Sequence, residues 1–460
     1  MSDLNFDLIV IGAGPGGYVA ARRASELGMR VVCIDKNHVG GTCLNVGCIP
    51  SKALLESSEI YARAKKGFGL HGIIGGEVDL DLSVMMERKE KIVSDMANGI
   101  NGLFDQHDIT FLTGLAKLLS EKEVEVDGAD GTVVVTGKKI LIATGSIPAE
   151  LPNIPFDRNF VVSSTEALEF NTVPERLVVI GAGAIGLEMG SVWSRLGSEV
   201  QIIEYTDQIL PGTDKEMAGQ LQRVLSRQGL MFNLNTGAKS AIVNENIVKL
   251  ELESDGELKQ IECDRVLIAV GRRPYTADLG IADIGIELDD RGHINTDVDG
   301  RTSLDGVWAI GDVVTGPMLA HKAEAEGVAV VERMSGLAGR VNYDAIPWVV
   351  YTHPELASVG LTQEMAEKEG YQTSLGKIHY RANARAHCMD ETDGLVKVIA
   401  NAETDRLLGV HILGAHASSM IAESVLALEF SASAEDLART IHAHPALSEI
   451  VKEAAWEDST

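Results

Sequence analysis

Apolar runs, glycine-rich turns and amphipathic segments alternate in the first part of the chain. FDLIVI, residues 6–11, is apolar apart from one aspartate, a pattern typical of a buried parallel strand. A glycine-rich turn follows, and then a segment with alanine and leucine at helical spacing that ends at Gly28. The apolar run MRVVCID comes next. This order predicts a strand–helix–strand unit that ends at Asp35.

The same pattern recurs further along the chain, in RLVVIGAGAIGLEMGSVWSRLGSEVQIIEY, residues 176–205. In the first copy 23 positions separate Gly12 from the acidic residue Asp35, and in the second copy 23 positions separate Gly181 from Glu204. The repetition predicts two related domains, each with its own nucleotide site.

Each copy carries a GxGxxG motif between its first strand and its helix. In such a motif the first glycine permits the tight turn, the second lets the backbone approach a diphosphate, and the third allows close packing of helix on strand. The helix N-terminus favours negative charge, and the acid at the end of the second strand can accept hydrogen bonds from a ribose. The alternative is a glycine-rich turn without a ligand. The motif residues are Gly12, Gly14 and Gly17 in the first copy and Gly181, Gly183 and Gly186 in the second.

Glu204 indicates which dinucleotide the second copy binds. A carboxylate at this position accepts from the 2′-hydroxyl of NAD and repels a 2′-phosphate. The residues that follow, YTDQILPG, supply no arginine to hold that phosphate. The sequence therefore predicts NAD in preference to NADP, although Glu204 could also be a solvated strand end.

The rest of the chain divides into segments with different patterns of apolar and polar residues. Two similar runs, KKILIATGSIP (138–148) and DRVLIAVGRRP (264–274), each join an apolar strand to a glycine turn and a proline, near the ends of the two repeated domains. From residue 344 onward, alternating β-rich segments and helices predict an α+β domain. We predict an α/β fold of two related Rossmann-like dinucleotide-binding domains and a C-terminal α+β domain. Residues 1–145 are predicted to form the first dinucleotide-binding domain, 146–274 the second, 275–343 a central segment that completes the first, and 344–460 the C-terminal domain.

Composition and charge exclude several classes of partner. The formal net charge of −27 repels nucleic acid and anionic membranes, and aromatic residues make up only 5% of the chain. No stretch reaches the roughly 18 apolar residues of a membrane span, and the N-terminus enters a strand without a basic presequence. We expect no nucleic acid, no membrane and a cytoplasmic location, with a mature organellar form as the open alternative.

The stretch GGTCLNVGCIPSKALL contains two of the five cysteines, Cys43 and Cys48. A disulfide needs Cα atoms within about 7 Å, and residues five apart on a regular helix lie farther apart than that. If the two cysteines bridge, the backbone between them must depart from a regular helix, and Gly47 is well placed to permit this. A bridge that closes so short a loop contributes little stability.

The segment after Cys48 predicts a helix with Pro50 in its first turn. A thiolate near a helix N-terminus is stabilised by the helix dipole. In a reducing compartment the pair would serve redox chemistry or metal binding. The sequence contains no second cysteine pair and no histidine cluster at a spacing that would complete a metal site. We therefore predict redox chemistry and no metal. The single cysteines are predicted to be packing residues: Cys33, Cys263 and Cys388.

GGTCLNVGCIPSK, with GAGPGG before it and GAGAIGLE after it, resembles the pyridine nucleotide–disulfide oxidoreductases along essentially the whole chain. The motifs are most similar to the branch that oxidises dihydrolipoamide. The resemblance implies one non-covalent FAD per subunit in the first site and NAD in the second. It implies flavin-dependent oxidation of protein-bound dihydrolipoamide to lipoamide, with reduction of NAD⁺ to NADH. An NADH-dependent disulfide reductase, a diaphorase or an NADH oxidase of the same family is the alternative.

The resemblance also implies roles for individual residues. Cys48 would be the thiol next to the flavin, and Cys43 the interchange thiol that meets the substrate. Lys52 would pair with Glu188 near the flavin N5.

Further cofactor contacts follow from the same resemblance. Asp312 in the AIGD motif would bind the ribityl chain of FAD, and Ala320 and His321 would lie along the flavin. Gly145 and Gly271 are the glycine turns expected to line the FAD and NAD sites.

HAHPALSE, residues 442–449, matches the family pattern H-P-x-x-S-E. The resemblance makes His444 the acid–base and Glu449 the residue that holds its ring. The pair would act on the cysteines of the other subunit, which implies a homodimer. Dihydrolipoyl groups of an acyltransferase or carrier protein, in a 2-oxo acid dehydrogenase or glycine cleavage complex, are the implied partners. His442 is interpreted as an exposed or core histidine, and an H-x-H metal site is the alternative.

Overall fold

The computed structural model describes residues 4–458. Residues 1–3 and 459–460, at the outer ends of the first and last predicted domains, lie outside the described residues. Strand–helix–strand units occur at residues 5–35 and 176–203, as the hydrophobic pattern predicts.

The described strands are short, apart from the long central β6. They are β1 (Asn5–Ile11), β2 (Val31–Asp35), β3 (Thr110–Thr113), β4 (Leu115–Leu118), β5 (Glu123–Gly128), β6 (Gly131–Ile142), β7 (Ser146–Pro148), β8 (Val161–Val162), β9 (Arg176–Ile180), β10 (Glu199–Ile203), β11 (Met231–Asn233), β12 (Thr236–Asn244), β13 (Ile247–Ser254), β14 (Glu257–Cys263), β15 (Arg265–Ile268), β16 (Arg272–Pro274), β17 (Val307–Ala309), β18 (Trp348–Val350), β19 (Glu355–Gly360), β20 (Thr373–His379), β21 (Leu395–Asn401) and β22 (Leu407–Gly414).

The described α-helices range from one turn to seven. They are α1 (Pro15–Glu26), α2 (Gly41–Val46), α3 (Cys48–Lys66), α4 (Leu82–Gln106), α5 (Ser164–Ala167), α6 (Ala184–Leu196), α7 (Lys215–Arg227), α8 (Ala320–Met334), α9 (Gln363–Lys368), α10 (Ala384–Met389), α11 (Ala417–Glu429), α12 (Ala434–Arg439) and α13 (Glu449–Asp458).

The chain forms two compact units. The first contains the described residues up to Leu54, Asp81–Ala149 and Gly271–Val341, and the second contains Leu55–Leu80, Glu150–Val270 and the described residues from Asn342 on. The domain boundaries predicted from the sequence stay a prediction.

The first unit is built on a sheet with strand order β3-β2-β1-β6-β5-β4, in which β17 also pairs with β6. β1, β2, β3, β6 and β17 run parallel, and β4 and β5 extend the sheet as an antiparallel pair. Apolar side chains cover both faces of the sheet, with α1 and part of α8 in the core of one face. Burial on both faces explains why these strands read as continuous apolar runs.

The second unit contains the repeated strand–helix–strand pattern in a parallel sheet with order β11-β10-β9-β15-β8. β12, β13 and β14 form an antiparallel sheet, and its apolar side chains share one hydrophobic core with those of the parallel sheet. The C-terminal part has an antiparallel sheet with order β18-β19-β22-β21-β20, against which α11, α12 and α13 pack. The predicted α/β fold class, with two Rossmann-like domains and a C-terminal α+β domain, is confirmed.

A buried ion pair lies within the second unit. Lys397 on β21 places its Nζ 2.7 Å from Asp214 Oδ2, and the two side chains are 3% and 0% exposed. Asp214 is also the N-cap of α7 and accepts from the backbone N–H groups of Glu216 and Met217. Burial alone would raise the pKa of the Asp214 carboxyl, but the hydrogen bond from Lys397 and the charges of His411 and Lys397 hold that pKa below its ordinary value.

Replacing Lys397 with methionine is expected to lower the free energy of unfolding by about 3–5 kcal/mol, because the Asp214 carboxylate then stays buried without its cation. The pKa of Asp214 is depressed in the folded state, so the stabilisation is present above its unfolded pKa and is lost as the pH falls through its folded pKa. Urea unfolding at several pH values measures both effects.

Lys377 provides a matched control. It lies on the neighbouring strand β20, 2.7 Å from Glu216, but its side chain is 38% exposed. Lys377→Met should cost less than about 1 kcal/mol. Equal losses in the two variants would contradict the assignment of the stabilisation to the buried pair.

Within the part of the chain that the structure describes, no helix is both long enough and apolar enough to cross a membrane.

Candidate active site

Both glycine motifs form the turn between a strand and a helix. α1 begins at Pro15 with Gly14 as its N-cap, and α6 begins at Ala184 with Gly183 as its N-cap. Neither cap supplies a side-chain hydrogen bond to the first turn. The N–H groups at these helix ends are therefore available for an anion.

The first and third glycines are required by close packing. Gly12 has φ +104°, and a Cβ at this residue would overlap the carbonyl oxygen of Ala143, while a Cβ at Gly17 would overlap the carbonyl oxygen of Gly12. In the second motif, a Cβ at Gly181 would overlap the carbonyl oxygen of Ala269, and a Cβ at Gly186 would overlap the carbonyl oxygen of Gly181.

The middle glycines face open space, which suits a bulky phosphate ligand. A Cβ at Gly183 would meet nothing within 4 Å, and one at Gly14 would meet only the Cα of Gly41 at 3.9 Å. The residues present therefore fit the diphosphate of a dinucleotide at each turn.

The terminal acids make a contact that the sequence analysis missed. Asp35 Oδ2 accepts from the N–H of Ala13 at 2.8 Å, and Glu204 Oε2 accepts from the N–H of Ala182 at the same distance. Glu204 Oε1 also accepts from the N–H and the hydroxyl of Thr206, both at 2.9 Å. Each acid thus holds its glycine turn as well as standing where a ribose is expected, and the equal 23-residue spacing reflects this shared geometry.

The two cysteines lie at a break between helices. α2 ends at Val46, α3 begins at Cys48, and Gly47 between them has φ −143° and ψ −111°. The predicted departure from regular helix is confirmed. Cys43 and Cys48 are free thiols, and a hydrogen bond joins their side chains.

The two thiols are electrostatically unequal. The pKa of Cys43 is raised, first by its side-chain hydrogen bond to Cys48, then by burial, and then by negative charge on Cys48. Lys52, one turn after Cys48 on α3, acts in the opposite direction. Cys48 is the first residue of α3, where the helix dipole stabilises a thiolate.

Replacing Gly47 with alanine is expected to disrupt the helix break. A Cβ there would lie 2.8 Å from the carbonyl oxygen of Thr42 and 3.3 Å from the Cα of Cys43, so the cysteine backbone must shift. We expect a loss of stability of about 1–3 kcal/mol and slower disulfide formation between the two cysteines. Thermal unfolding and thiol titration during reoxidation measure the two effects.

Gly99→Ala is the control for this prediction. Gly99 lies inside α4, where a Cβ would meet nothing within 4 Å. The alanine should leave stability unchanged or increase it by about 0.5–1 kcal/mol. Reoxidation of Gly47→Ala at the control's rate would show that the break does not need glycine.

Asp312 lies in the 3-10 turn Gly311–Val313, ahead of α8, whose first residues are Ala320 and His321. Gly145 and Gly271 precede β7 and β16, which pair with each other in an antiparallel two-stranded sheet. The first unit therefore contains Asp312, Ala320, His321 and both glycine turns, together with the first GxGxxG motif.

Lys52 and Glu188 were predicted to pair. Lys52 lies on α3 in the first unit, and Glu188 lies on α6 in the second, where its Oε1 accepts from the N–H of Tyr351 at 3.0 Å. Glu188 is only 4% exposed. The pairing with Lys52 stays a prediction.

The C-terminal segment brings His444 and Glu449 together. Nδ1 of His444 lies 3.0 Å and 3.2 Å from the two carboxylate oxygens of Glu449, the first residue of α13. The N–H of Ala446 donates to Glu449 Oε2 at 2.9 Å. This N–H first, and then His444, hold the pKa of Glu449 below its ordinary value. The His444 side chain itself is 73% exposed.

His442, expected to be exposed or in the core, has a side chain that is only 6% exposed. Its Nε2 lies 2.6 Å from Glu423 on α11. Among the described residues, no group of three or more His, Cys, Asp or Glu side chains is arranged to hold a metal ion.

Comparison with known families assigns the chain as a whole. Residues 6–327 match the pyridine nucleotide-disulphide oxidoreductase family, and residues 346–455 match the dimerisation domain of that family. The chain belongs to the pyridine nucleotide-disulphide oxidoreductases. This membership confirms the resemblance inferred from GGTCLNVGCIPSK and its flanking motifs.

Two members of this family are similar to the chain over nearly its full length. The mitochondrial dihydrolipoyl dehydrogenase of Pisum sativum is 49% identical over 99% of this chain and 91% of its own length. The leghemoglobin reductase of Glycine max is 50% identical over 99% of this chain and 87% of its own length.

Among solved structures, the HOCl-induced flavoprotein disulfide reductase RclA of Escherichia coli, in its Cu(II) complex, has a similar fold. The TM-score is 0.88 at 27% sequence identity, over 99% of both chains.

Proposed function

We propose that this chain is a dihydrolipoamide-oxidising enzyme that uses FAD and reduces NAD⁺ to NADH. The observation that carries the proposal is the pair of hydrogen-bonded thiols, Cys43 and Cys48, at the helix break before α3. The relative from Pisum sativum, a dihydrolipoyl dehydrogenase that matches almost end to end, supports this substrate class.

The first unit supplies the residues proposed to hold FAD. Gly12, Gly14 and Gly17 would receive its diphosphate at the N-terminus of α1, and Asp35 its adenosine ribose. Asp312 would bind the ribityl hydroxyls, with Gly145, Ala320 and His321 beside the flavin. When bound, FAD supplies two-electron transfer between the dithiol and NAD⁺.

The second unit supplies the residues proposed to hold NAD. Gly181, Gly183 and Gly186 would bind the diphosphate, and the carboxylate of Glu204 would accept from the ribose 2′-hydroxyl. The buried Glu204 would also repel the phosphate of NADP, because no water shell screens it there. Gly271 lies in the first unit, and its role in binding NAD stays a prediction.

The thiol chemistry follows from the inequality of Cys43 and Cys48. One thiolate of the substrate attacks Cys43 in the enzyme disulfide, a sulfur–sulfur bond forms, and Cys48 leaves as a thiolate. The second substrate thiolate then attacks the substrate sulfur of the mixed disulfide, so lipoamide is released and Cys43 keeps the electron pair. The α3 N-terminus stabilises the thiolate of Cys48.

His444 is proposed to move the protons. The Nδ1–H of His444 donates to the carboxylate of Glu449, which leaves Nε2 of His444 as the basic nitrogen for a substrate thiol. The proposed site is shared between two subunits, so that His444 of one chain serves the cysteines of the other. The match to the family's dimerisation domain supports a homodimer.

The proposed partners are dihydrolipoyl groups on an acyltransferase or carrier protein of a 2-oxo acid dehydrogenase or glycine cleavage complex. The cytoplasmic location stays a prediction, because the relative from Pisum sativum is a mitochondrial protein.

An anaerobic assay tests the proposal. The purified protein, dihydrolipoamide and either NAD⁺ or NADP⁺ are mixed, and absorbance at the reduced-nicotinamide band is followed. We expect NADH formation with NAD⁺ and a rate at least tenfold lower with NADP⁺. Consumption of NADH by oxygen or dyes, with no NADH formed from dihydrolipoamide, would instead favour an NADH oxidase or diaphorase.

A further inference from the structure

The two similar runs at 138–148 and 264–274 meet in the first unit. Ser146 follows Gly145 in the first run, and Arg272 follows Gly271 in the second. β7 and β16, which begin at these two residues, pair antiparallel, with Arg272 opposite Pro148 and Pro274 opposite Ser146. The two runs therefore place different polar side chains at equivalent positions of one small sheet.

Arg272 donates two hydrogen bonds to Ser146. Its Nε donates to Ser146 Oγ at 2.7 Å, and its Nη2 donates to the carbonyl oxygen of Ser146 at 2.7 Å. Ser146 Oγ in turn donates to Asp312 Oδ2 at 2.5 Å, and Ser146 is only 4% exposed.

The direction of this chain of hydrogen bonds follows from the chemistry of its members. A guanidinium only donates, and an ionised carboxylate only accepts. The hydroxyl of Ser146 must therefore accept from Arg272 and give its single proton to Asp312. A hydroxyl polarised by a cation makes a stronger bond to a carboxylate, so the charge on Arg272 tightens the Ser146–Asp312 bond.

The charge on Arg272 is balanced within the same unit. Burial lowers the pKa of the Arg272 guanidinium, and the negative charges of Asp312 and Cys48 oppose this shift. Arg272 thus lies within electrostatic reach of both the flavin-binding carboxylate and the flavin-side thiol of the proposed site.

A second set of buried contacts holds the backbone immediately before Asp312. The N–H of Gly311 donates to Glu326 Oε2 at 2.8 Å, and the carbonyl oxygen of Gly311 accepts from Lys322 Nζ at 3.1 Å. Lys322 and Glu326 form an ion pair at 3.1 Å with side chains 0% and 5% exposed. Gly311 has φ +77°, a left-handed conformation that glycine adopts without strain.

We propose that Arg272 and Ser146 are positioning residues for Asp312, and that they present its carboxylate to the ribityl hydroxyls of FAD. The buried Lys322–Glu326 pair fixes the peptide on one side of Asp312, and the Arg272–Ser146 relay fixes the side chain on the other. The inference rests on the proposed FAD site.

A set of variants of the full-length holoenzyme tests this proposal. Arg272→Met removes the charge, Ser146→Ala removes one oxygen atom, and Arg272→Lys keeps the charge with fewer donors. Arg273→Met is the matched control, because Arg273 is the next residue of β16 and is exposed. The dissociation constant of FAD is measured by equilibrium ultrafiltration and flavin absorbance.

We expect Arg272→Met and Ser146→Ala each to raise the dissociation constant of FAD about tenfold or more, since each breaks a charge-assisted chain of hydrogen bonds. Arg272→Lys should recover part of the loss, and Arg273→Met should stay within twofold of the wild type. The double variant Arg272→Met/Ser146→Ala should bind FAD within about twofold of Ser146→Ala alone, because both act through one carboxylate.

Two results would overturn the proposal. One is an Arg272→Met variant that loses thermal stability but keeps an FAD dissociation constant within twofold of the wild type. That result would mean that Arg272 only links the two turns and does not position Asp312. The other is a double variant in which the two losses multiply. If Arg272→Met does not fold, Ser146→Ala decides by the same twofold criterion.

The dihydrolipoamide assay is read separately on the wild type. A protein that binds FAD through Arg272 but forms no NADH from dihydrolipoamide would refute the proposed activity and leave the positioning role intact.

Discussion

Replacing Cys48 with serine is expected to abolish the oxidation of dihydrolipoamide, with a fall in rate of about 10⁴-fold or more, while FAD stays bound. A serine hydroxyl is not ionised near neutral pH, so it can neither form the disulfide with Cys43 nor leave as an anion when the substrate attacks. The loss follows from chemistry rather than from folding, because serine differs from cysteine by one atom. Steady-state NADH formation and the flavin absorbance of the purified variant measure the two parts of this prediction.

Cys388→Ser is the matched control. Cys388 is an exposed thiol on α10, so the prediction that it is a packing residue is wrong, whereas Cys33 and Cys263 are buried as predicted. Its replacement should leave the rate within twofold of the wild type. Near-normal turnover in Cys48→Ser, or an equal loss in both variants, would remove the thiol pair from the mechanism.

Replacing His444 with glutamine is expected to lower the rate of dihydrolipoamide oxidation by about 10²–10⁴-fold, the usual effect of removing a general base. Glutamine retains a polar group near Glu449 but cannot accept a proton from a thiol. Because the N–H of Ala446 and the His444 ring hold the pKa of Glu449 low, Glu449 stays ionised across the working pH range and keeps the ring oriented. The pH–rate profile of the variant should therefore lose the limb that belongs to the base.

His71→Gln provides the comparison, since His71 is exposed in a short 3-10 turn of the segment between α3 and α4. It should retain the wild-type rate and pH profile. A fall of less than tenfold in His444→Gln, with an unchanged profile, would assign the proton transfer to another group.

Local patterns in the sequence were sufficient for much of the fold. The repeated strand–helix–strand units are readable because burial on both faces produces apolar runs, and because tight turns restrict their positions to glycine. The break at Gly47 is readable for a similar reason, since a regular helix cannot bring residues five apart into a bridge. The pairing of His444 with Glu449 depends on a separation of five positions and on a motif that the family shares.

Contacts between residues distant in the chain could not be read in this way. Arg272 and Ser146 are 126 positions apart, and Lys397 and Asp214 are 183 apart. All four residues lie within or beside a helix or strand. The apolar pattern of the sequence predicts that helix or strand, but it does not predict which polar side chains will pair. The contact of Asp35 with Ala13 was missed because the ribose interpretation already accounted for an acid at that position.

Counting thiols tests the central claim most directly. The disulfide-containing enzyme is mixed anaerobically with one equivalent of dihydrolipoamide and no NAD⁺, denatured under acid and separated from the small molecules, and the free thiols of the protein are titrated. The chain has five cysteines, so the account predicts that thiols attributable to Cys43 and Cys48 appear on reduction and disappear when NAD⁺ is added before quenching. NADH formation at the normal rate with an unchanged thiol count would contradict a mechanism through this pair.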